Sequence, residues 1–467
     1  MASNVDIIDP KDGTRRPLAR RFRKFTTKNH GIRIIAFGFL FDFTGNDDNS
    51  FVQPVEDTIK EQWFQDAIRD QDVDIFVLTG HIGLKQSEST NLFQAIRDVR
   101  GDIPIVIFGG HTHIRDYKKY DDKAYGLESG RYMETIGFQS VSGIPSQSKK
   151  DQKLDLRSES LSFARRYVDN NLFSFHSHTG LNSSTFPTEH GKNVSEQIRQ
   201  ARKTLNLDQT FGCSPRSLWM ARTPYPHKDS IFSWLQSRVI PEKVIDEART
   251  DKPRFIYANT GALRFDIFQG PFTRDSTYIV SPFTSGYRYI KDVPYSIADK
   301  LLLILNKAGN ILAQDQPHLE DWRLVPPEQI GLEHDTVVLE TNTLIHTQNS
   351  QMPLLSDGEE PLLFPGYTTH DDAGDDGDDT IHSKISFYRV PNCIESRVGL
   401  SDVYTGEAEE EQTVDVVFLE FIQPWMLAAL KFLGAEYTVD DTAAYVEGKS
   451  FTEMIAEWVT DNWRDNC

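Results

Sequence analysis

Three of the 13 histidines fall in two short glycine-flanked clusters, Gly80-His81-Ile82-Gly83 and Gly109-Gly110-His111-Thr112-His113. Imidazole is a ligand for Zn, Mn, Fe and similar borderline ions. Histidines two positions apart in an extended turn can point the same way, so His111 and His113 are expected to address one site. The flanking glycines let the backbone turn with positive φ and approach a ligand with no Cβ in the way. A lone histidine reads as an ordinary loop or core residue. Three on two glycine turns read as a metal site.

The surrounding sequence supplies the elements that would position them. Ile32–Phe41 is a near-continuous apolar run, as for a strand covered on both faces. Val55–Asp70 carries apolar residues at helical spacing, and Asp74–Thr79 is a second strand. Leu92, Phe93, Ile96 and Val99 mark a second helix, and Ile103–Phe108 a third strand. This β-α-β-α-β order predicts a layered α/β domain with right-handed crossovers and parallel strands. Each histidine cluster follows the carboxyl end of a strand. Open α/β sheets bind their ligands at that edge.

Val77-Leu-Thr-Gly-His81-Ile-Gly resembles the fourth motif of calcineurin-like metallophosphoesterases, and Phe108-Gly-Gly-His-Thr-His113 resembles their fifth. The likeness extends to the 5′-nucleotidase branch, in particular its fungal members. It implies that His81 and His111 ligate one ion of a divalent pair (Zn, Mn or similar) and His113 the other. Further on, Asn259-Thr-Gly-Ala-Leu-Arg264 is similar to the family's Asn-Gly-Gly-x-x-Arg substrate motif, with Thr260 in place of a glycine. Pro282-Phe283 is similar to its Pro-Phe pair, whose ring stacks on the substrate base. A guanidinium suits an anionic or planar group, and an aromatic face suits a nucleobase. Asn259, Arg264 and Phe283 are therefore the expected substrate-binding residues, and a nucleotide or related phosphoester the expected small-molecule partner.

The resemblance implies a partial metallophosphoesterase αββα sandwich over residues 1–145. A partly helical linker (146–200) and a 5′-nucleotidase-type α/β domain (201–467) follow. In the second domain a helix is expected at Ile231–Val239, a strand at Arg254–Ala258 and a closing amphipathic helix at Phe451–Trp463. Tyr295–Leu305 fits strand or helix. The family's Asp-x-His, Gly-Asp and Asn-His motifs do not precede His81, so the catalytic histidine and bridging carboxylate are expected upstream of Met1. On that basis the chain as given is expected to hold at most one metal weakly and to hydrolyse little. A non-catalytic nucleotide-binding protein and a single-zinc protein are the alternatives.

Other features weigh less. Six aspartates in Asp371–Asp379 read as a solvated acidic loop, with Tyr367 the nearest counterpart of a second stacking aromatic. Arg115, Asp116, Tyr117, Arg131 and Glu134 fit either a shell around the histidines or salt-bridged turns. A net charge of −19 disfavours nucleic acid as a partner. No apolar run approaches the roughly 20 residues of a membrane span. Three cysteines, Cys213, Cys393 and Cys467, allow at most one disulfide. Sequons at Asn182 and Asn193 lean towards a secretory, vacuolar or extracellular setting.

Overall fold

The computed structural model describes residues 1–43, 46, 48–101, 103–144, 161–307, 324–327, 329, 388–400 and 412–467. The acidic segment Asp371–Asp379 and Tyr367 lie outside the described residues. The chain divides into two compact units between Phe186 and Pro187. Of the expected linker, Ser162–Asp169 is a strand of the first unit and Glu189–Thr204 a helix of the second.

The first unit is built on a six-stranded sheet. Its strands are β1 (Phe22–Thr26), β2 (Arg33–Leu40), β3 (Ile75–His81), β4 (Ile105–Phe108), β5 (Arg115–Asp121) and β6 (Ala124–Ser129), in spatial order β1-β2-β3-β4-β6-β5. Strands β2, β3, β4 and β6 are mutually parallel, and β1 and β5 close the edges antiparallel. Helices α1 (Gln62–Arg69) and α2 (Ser87–Val99) lie in the connections from β2 to β3 and from β3 to β4. Each buries one stripe: Phe64, Ala67 and Ile68 on α1, and Leu92, Phe93 and Ile96 on α2. Phe37 of β2 packs 5.0 Å from Phe64 and 6.3 Å from Phe76, ring centre to centre. Each such fully buried side chain is worth roughly 1.5–3 kcal/mol.

Two sequence expectations shift here. The single helix over Val55–Asp70 is two pieces, Val55–Thr58 and Gln62–Arg69, because Glu61 is extended (φ −60°, ψ 140°). The third strand begins at Ile105 rather than Ile103. Pro104 between them has no N–H to donate to a ladder.

The first unit also holds an antiparallel pair, β7 (Thr135–Ser142) with β8 (Ser162–Asp169), and a small sheet of Val5–Ile8, Arg15–Pro17 and Ser50–Val52. At the amino terminus Asn4 is fully buried. Its side-chain amide donates to the Leu40 and Gln53 carbonyls and accepts from Leu40 N, which ties this segment to the carboxyl end of β2.

The second unit holds a mixed five-stranded sheet. It contains β10 (Arg254–Asn259), β12 (Tyr287–Pro294), β13 (Cys393–Val398), β14 (Thr413–Leu419) and β15 (Ala443–Ala444), in order β13-β10-β14-β12-β15. A separate pair joins β9 (Thr210–Ser214) to β11 (Gly270–Thr273), and α3 (Arg274–Val280) follows directly. Tyr295–Leu305, ambiguous in sequence, is helical as α4 (Tyr295–Lys307). Buried Ala298, Leu301 and Leu305 recur with its period. After α5 (Gln423–Phe432), the chain closes with α6 (Phe451–Trp463), whose Ser450 and Glu453 form a reciprocal capping box.

The end of α6 runs so close to β9 that a Cβ on Gly212 would lie 2.7 Å from the Trp463 backbone carbon. A disulfide, Cys213–Cys467, closes the same junction across 254 residues of sequence. Cys393 is free and buried, and burial raises its thiol far above the usual range.

Candidate active site

The two histidine clusters meet at the carboxyl edge of the first sheet. His81 is the last residue of β3, paired in register with Leu40 of β2. Past the end of β4, Gly109 N donates to Leu127 O (3.0 Å) and Gly110 N donates to Ile82 O (3.0 Å). A Cβ on Gly109 would stand 2.8 Å from Ile82 O, so glycine is required for the two turns to touch. Both following histidines adopt left-handed backbone, His111 at φ 81° and His113 at φ 59°. For a non-glycine residue that conformation costs on the order of 1–3 kcal/mol and clusters at functional sites.

His81 and His111 are brought together. His81 Nε2 and His111 Nδ1 lie 3.2 Å apart, and the ring centres 4.9 Å apart. Phe41, just past β2, stacks on the His111 ring at 4.2 Å and 23°. His113 instead lies near Tyr132, with ring centres 6.1 Å apart. Among the described residues no group of three or more His, Cys, Asp or Glu side chains is placed to hold a metal ion.

The donor pair nonetheless fits part of a metal shell. Two nitrogens bound at about 2.0–2.1 Å to one tetrahedral ion lie about 3.3 Å apart, close to the separation seen here. His81 and His111 thus fit two positions on one borderline divalent ion. The arrangement serves equally as an imidazole–imidazole hydrogen bond.

Beneath the turns sits a residue that the sequence did not flag. Glu128, at 2% exposure on β6, accepts a hydrogen bond from Leu84 N at 2.7 Å and another from the Thr112 hydroxyl. Burial pushes its carboxyl up to about 8, against the two hydrogen bonds, which favour the ionised form. The one sequence signal was an acidic residue directly after the apolar run Ala124–Leu127. Phe41 had no signal beyond its place at a strand end.

The residues around these turns bond to one another and to neighbouring strands. Asp116 pairs with Lys85 at 3.0 Å, and its carbonyl accepts from the Tyr167 hydroxyl at 2.7 Å. Arg115 lies over the Tyr167 ring, and the Arg165 guanidinium over Tyr117 at 3.9 Å. Glu134 accepts from Arg131 N at 3.0 Å.

In the second unit, Arg264 and Phe283 are brought together while Asn259 turns inward. The Arg264 guanidinium lies 4.9 Å from the Phe283 ring centre, and Phe283 is 39% exposed. A cation over an aromatic face stabilises both. Asn259, at the end of β10, is 3% exposed and donates to Leu324 O at 3.3 Å.

The turn between them explains the altered motif. Gly261 cannot carry a Cβ, which would stand 2.7 Å from Val325 O. Thr260 can replace a glycine because its hydroxyl donates to Pro391 O at 2.6 Å in a fully buried position. Phe283 lines a cleft of about 690 Å³ with Tyr278, Arg274 and the first turn of α6. Thr452 of that turn has its hydroxyl 2.5 Å from Ser281 O and 2.8 Å from Phe283 O, and Phe451 N donates to Ser285 O at 2.9 Å. This clasp was invisible in sequence, since Thr452 lies 171 and 169 positions from its two partners.

Known proteins resemble this chain in sequence and in fold. The family model described as "NAD nucleotidase, C-terminal domain" matches residues 217–427. A protein of Arthroderma benhamiae called "Secreted protein" is 33% identical, covering all of this chain and 74% of its own length. An uncharacterised Schizosaccharomyces pombe protein is 35% identical, covering all of this chain and 73% of its own length. The crystal structure of a 5′-nucleotidase from Candida albicans aligns with a TM-score of 0.77 and 34% identity, covering 99% of this chain and 76% of that one.

Proposed function

The chain belongs to the 5′-nucleotidase family, and from that premise we propose that its two sites serve metal-assisted hydrolysis of a nucleotide phosphoester. The observation that carries this reading is the pair of imidazole nitrogens 3.2 Å apart on two glycine-flanked turns, the second of them strained at His111.

His81 and His111 would hold one divalent ion of the Zn or Mn type, with Phe41 fixing the His111 ring plane. His113 sits on the same turn and would serve a second position. A divalent ion in such a site polarises phosphoryl oxygens and lowers the pKa of a bound water. The exposed face of Phe283 offers a platform for a nucleobase. Arg264 backs that ring with positive charge and provides donors for anionic or ribose oxygens. Asn259 acts from behind, holding the turn that presents Arg264.

With two imidazoles gathered among the described residues, one ion per chain at modest affinity is the expected stoichiometry, and turnover by this chain is expected to be slow. The Cys213–Cys467 disulfide suits an oxidising compartment, consistent with a secretory, vacuolar or extracellular location.

The test is a Co²⁺ titration read by visible absorption, paired with phosphate release from a nucleoside monophosphate. His81→Ala and His111→Ala should each remove the nitrogen-ligand spectrum and any release above the buffer rate. Two tightly bound ions per chain would overturn the stoichiometry. Phosphate release unchanged in both variants would overturn the site.

A further inference from the structure

We infer that Glu128 is a positioning residue that couples the two histidine turns, holding His81 and His111 in register. The inference rests on the reading of His81 and His111 as the metal-binding pair, and its geometry stands apart from the recognised motifs.

Glu128 is the one side chain bonded to both turns among the hydrogen bonds described. One carboxyl oxygen accepts from Leu84 N, three residues past His81. The other accepts from the hydroxyl of Thr112, which lies between His111 and His113. Leu84 is held on its other side as well. Its carbonyl accepts from Ser89 Oγ at 2.8 Å, Tyr120 OH at 2.8 Å and Lys118 Nζ at 3.0 Å. The first turn is therefore pinned at Leu84, and Glu128 passes that fixed point to the second turn.

The packing leaves little slack. A Cβ on Gly109 would stand 3.2 Å from Glu128 Cγ, and one on Gly126 would stand 2.6 Å from Leu84 Cδ2. A further Cβ on Gly83 would stand 2.7 Å from the Thr112 methyl. Glycine at all three places lets the turns close down on the carboxyl group. A buried group bonded at both ends and tightly packed transmits a displacement rather than absorbing it.

Removing the carboxyl leaves the Leu84 N–H buried without its acceptor, which is unfavourable if the turn stays put. The turn can relieve that cost by moving, and such movement would spread the two histidines. Glutamine at 128 can keep both links, since its oxygen accepts from Leu84 N and its amide donates to the Thr112 oxygen.

The experiment is a double-mutant cycle on the purified chain, read by the ¹H–¹³C imidazole signals of His81. Thr112→Val keeps the methyl and removes only the hydroxyl. It should shift the His81 signals in the parent and cause no additional shift in the Glu128→Ala background. An unchanged His81 in Thr112→Val, or an equal shift in both backgrounds, overturns the coupling. The second outcome would mean that His111 alone carries the effect.

If Glu128→Ala does not fold, Glu128→Met fills the volume without an acceptor and takes its place in the cycle. In parallel, Co²⁺ affinity should fall about 10–100-fold in Glu128→Ala, as for other residues that orient ligands, and return in Glu128→Gln. Parent-like Co²⁺ affinity in folded Glu128→Ala also overturns the inference. A parent chain that binds no Co²⁺ removes the metal reading instead, while the imidazole signals still decide the coupling.

Discussion

The histidine edge of the first unit and the Arg264–Phe283 surface of the second are assembled in opposite ways. At the histidine edge, chemistry and geometry are nearly local. The glycines that permit the turns adjoin the histidines, and parallel strands β3 and β4 deliver both turns to one edge. In the second unit, Phe283 is oriented by a helix whose first turn is remote in sequence. That helix is anchored at its far end by the Cys213–Cys467 disulfide. A locally built site is robust to distant change and sensitive to a single Cβ. A remotely fastened site is sensitive to whatever holds the fastener.

That contrast can be broken most forcefully at the disulfide. Cys213→Ser should destabilise the second unit by about 2–5 kcal/mol, the usual loss for a native disulfide. Unfolding followed by fluorescence would report it, because Trp234, Trp458 and Trp463 pack together beside this junction. Circular dichroism of the first unit's transition should be unmoved. If both units lose stability equally, the two regions are not independent.

A pH titration sharpens the same comparison from the other side. Glu128 has its folded carboxyl pushed up to about 8. Its stabilising contribution is fully present below the ordinary carboxyl range and is lost as pH rises through about 8. The first unit should therefore weaken by on the order of a few kcal/mol between about pH 4.5 and 8, since each tenfold difference in proton affinity between folded and unfolded chains is worth about 1.4 kcal/mol. Glu128→Gln should flatten that slope in denaturant unfolding curves. An identical slope in the variant would assign the pH dependence elsewhere.

Gly261→Ala should cost about 1–3 kcal/mol by overpacking against Val325 O. It should also disturb presentation of Arg264, seen as weaker nucleotide binding by calorimetry. Parent-like stability would show that the turn can relax. The smallest effect is expected for Thr452→Val, which removes one hydroxyl from the Phe283 clasp. About 1 kcal/mol and a raised nucleotide Kd, with Co²⁺ affinity unchanged, are the predicted results. A change in Co²⁺ affinity would show that the clasp also acts on the histidine edge.

Much of the first unit was legible because its signals are periodic and short in range. Apolar runs mark β2, β3 and β4, helical stripes mark α1 and α2, and Gly-His turns end two of the strands. The break at Glu61 was not legible, since helical spacing continues across it. Nor was α4, where Tyr295–Leu305 is apolar enough for either periodicity and only its buried stripe decides. The inward turn of Asn259 was also hidden, because the motif gives the residue and not the direction of its amide.

By itself the sequence determined the residue types at each site, the order of strands and helices around them, and the glycines without which the turns clash. Tertiary structure alone decided which nitrogens meet, that His113 lies towards Tyr132, and that Glu128 spans both turns. It also decided that Thr452 fastens Phe283 and that Cys213, not Cys393, pairs with Cys467. The physical reason is range. Periodicity and turn chemistry act over a few residues and leave a trace in the string, whereas a buried hydrogen bond between distant segments depends only on where packing brings them.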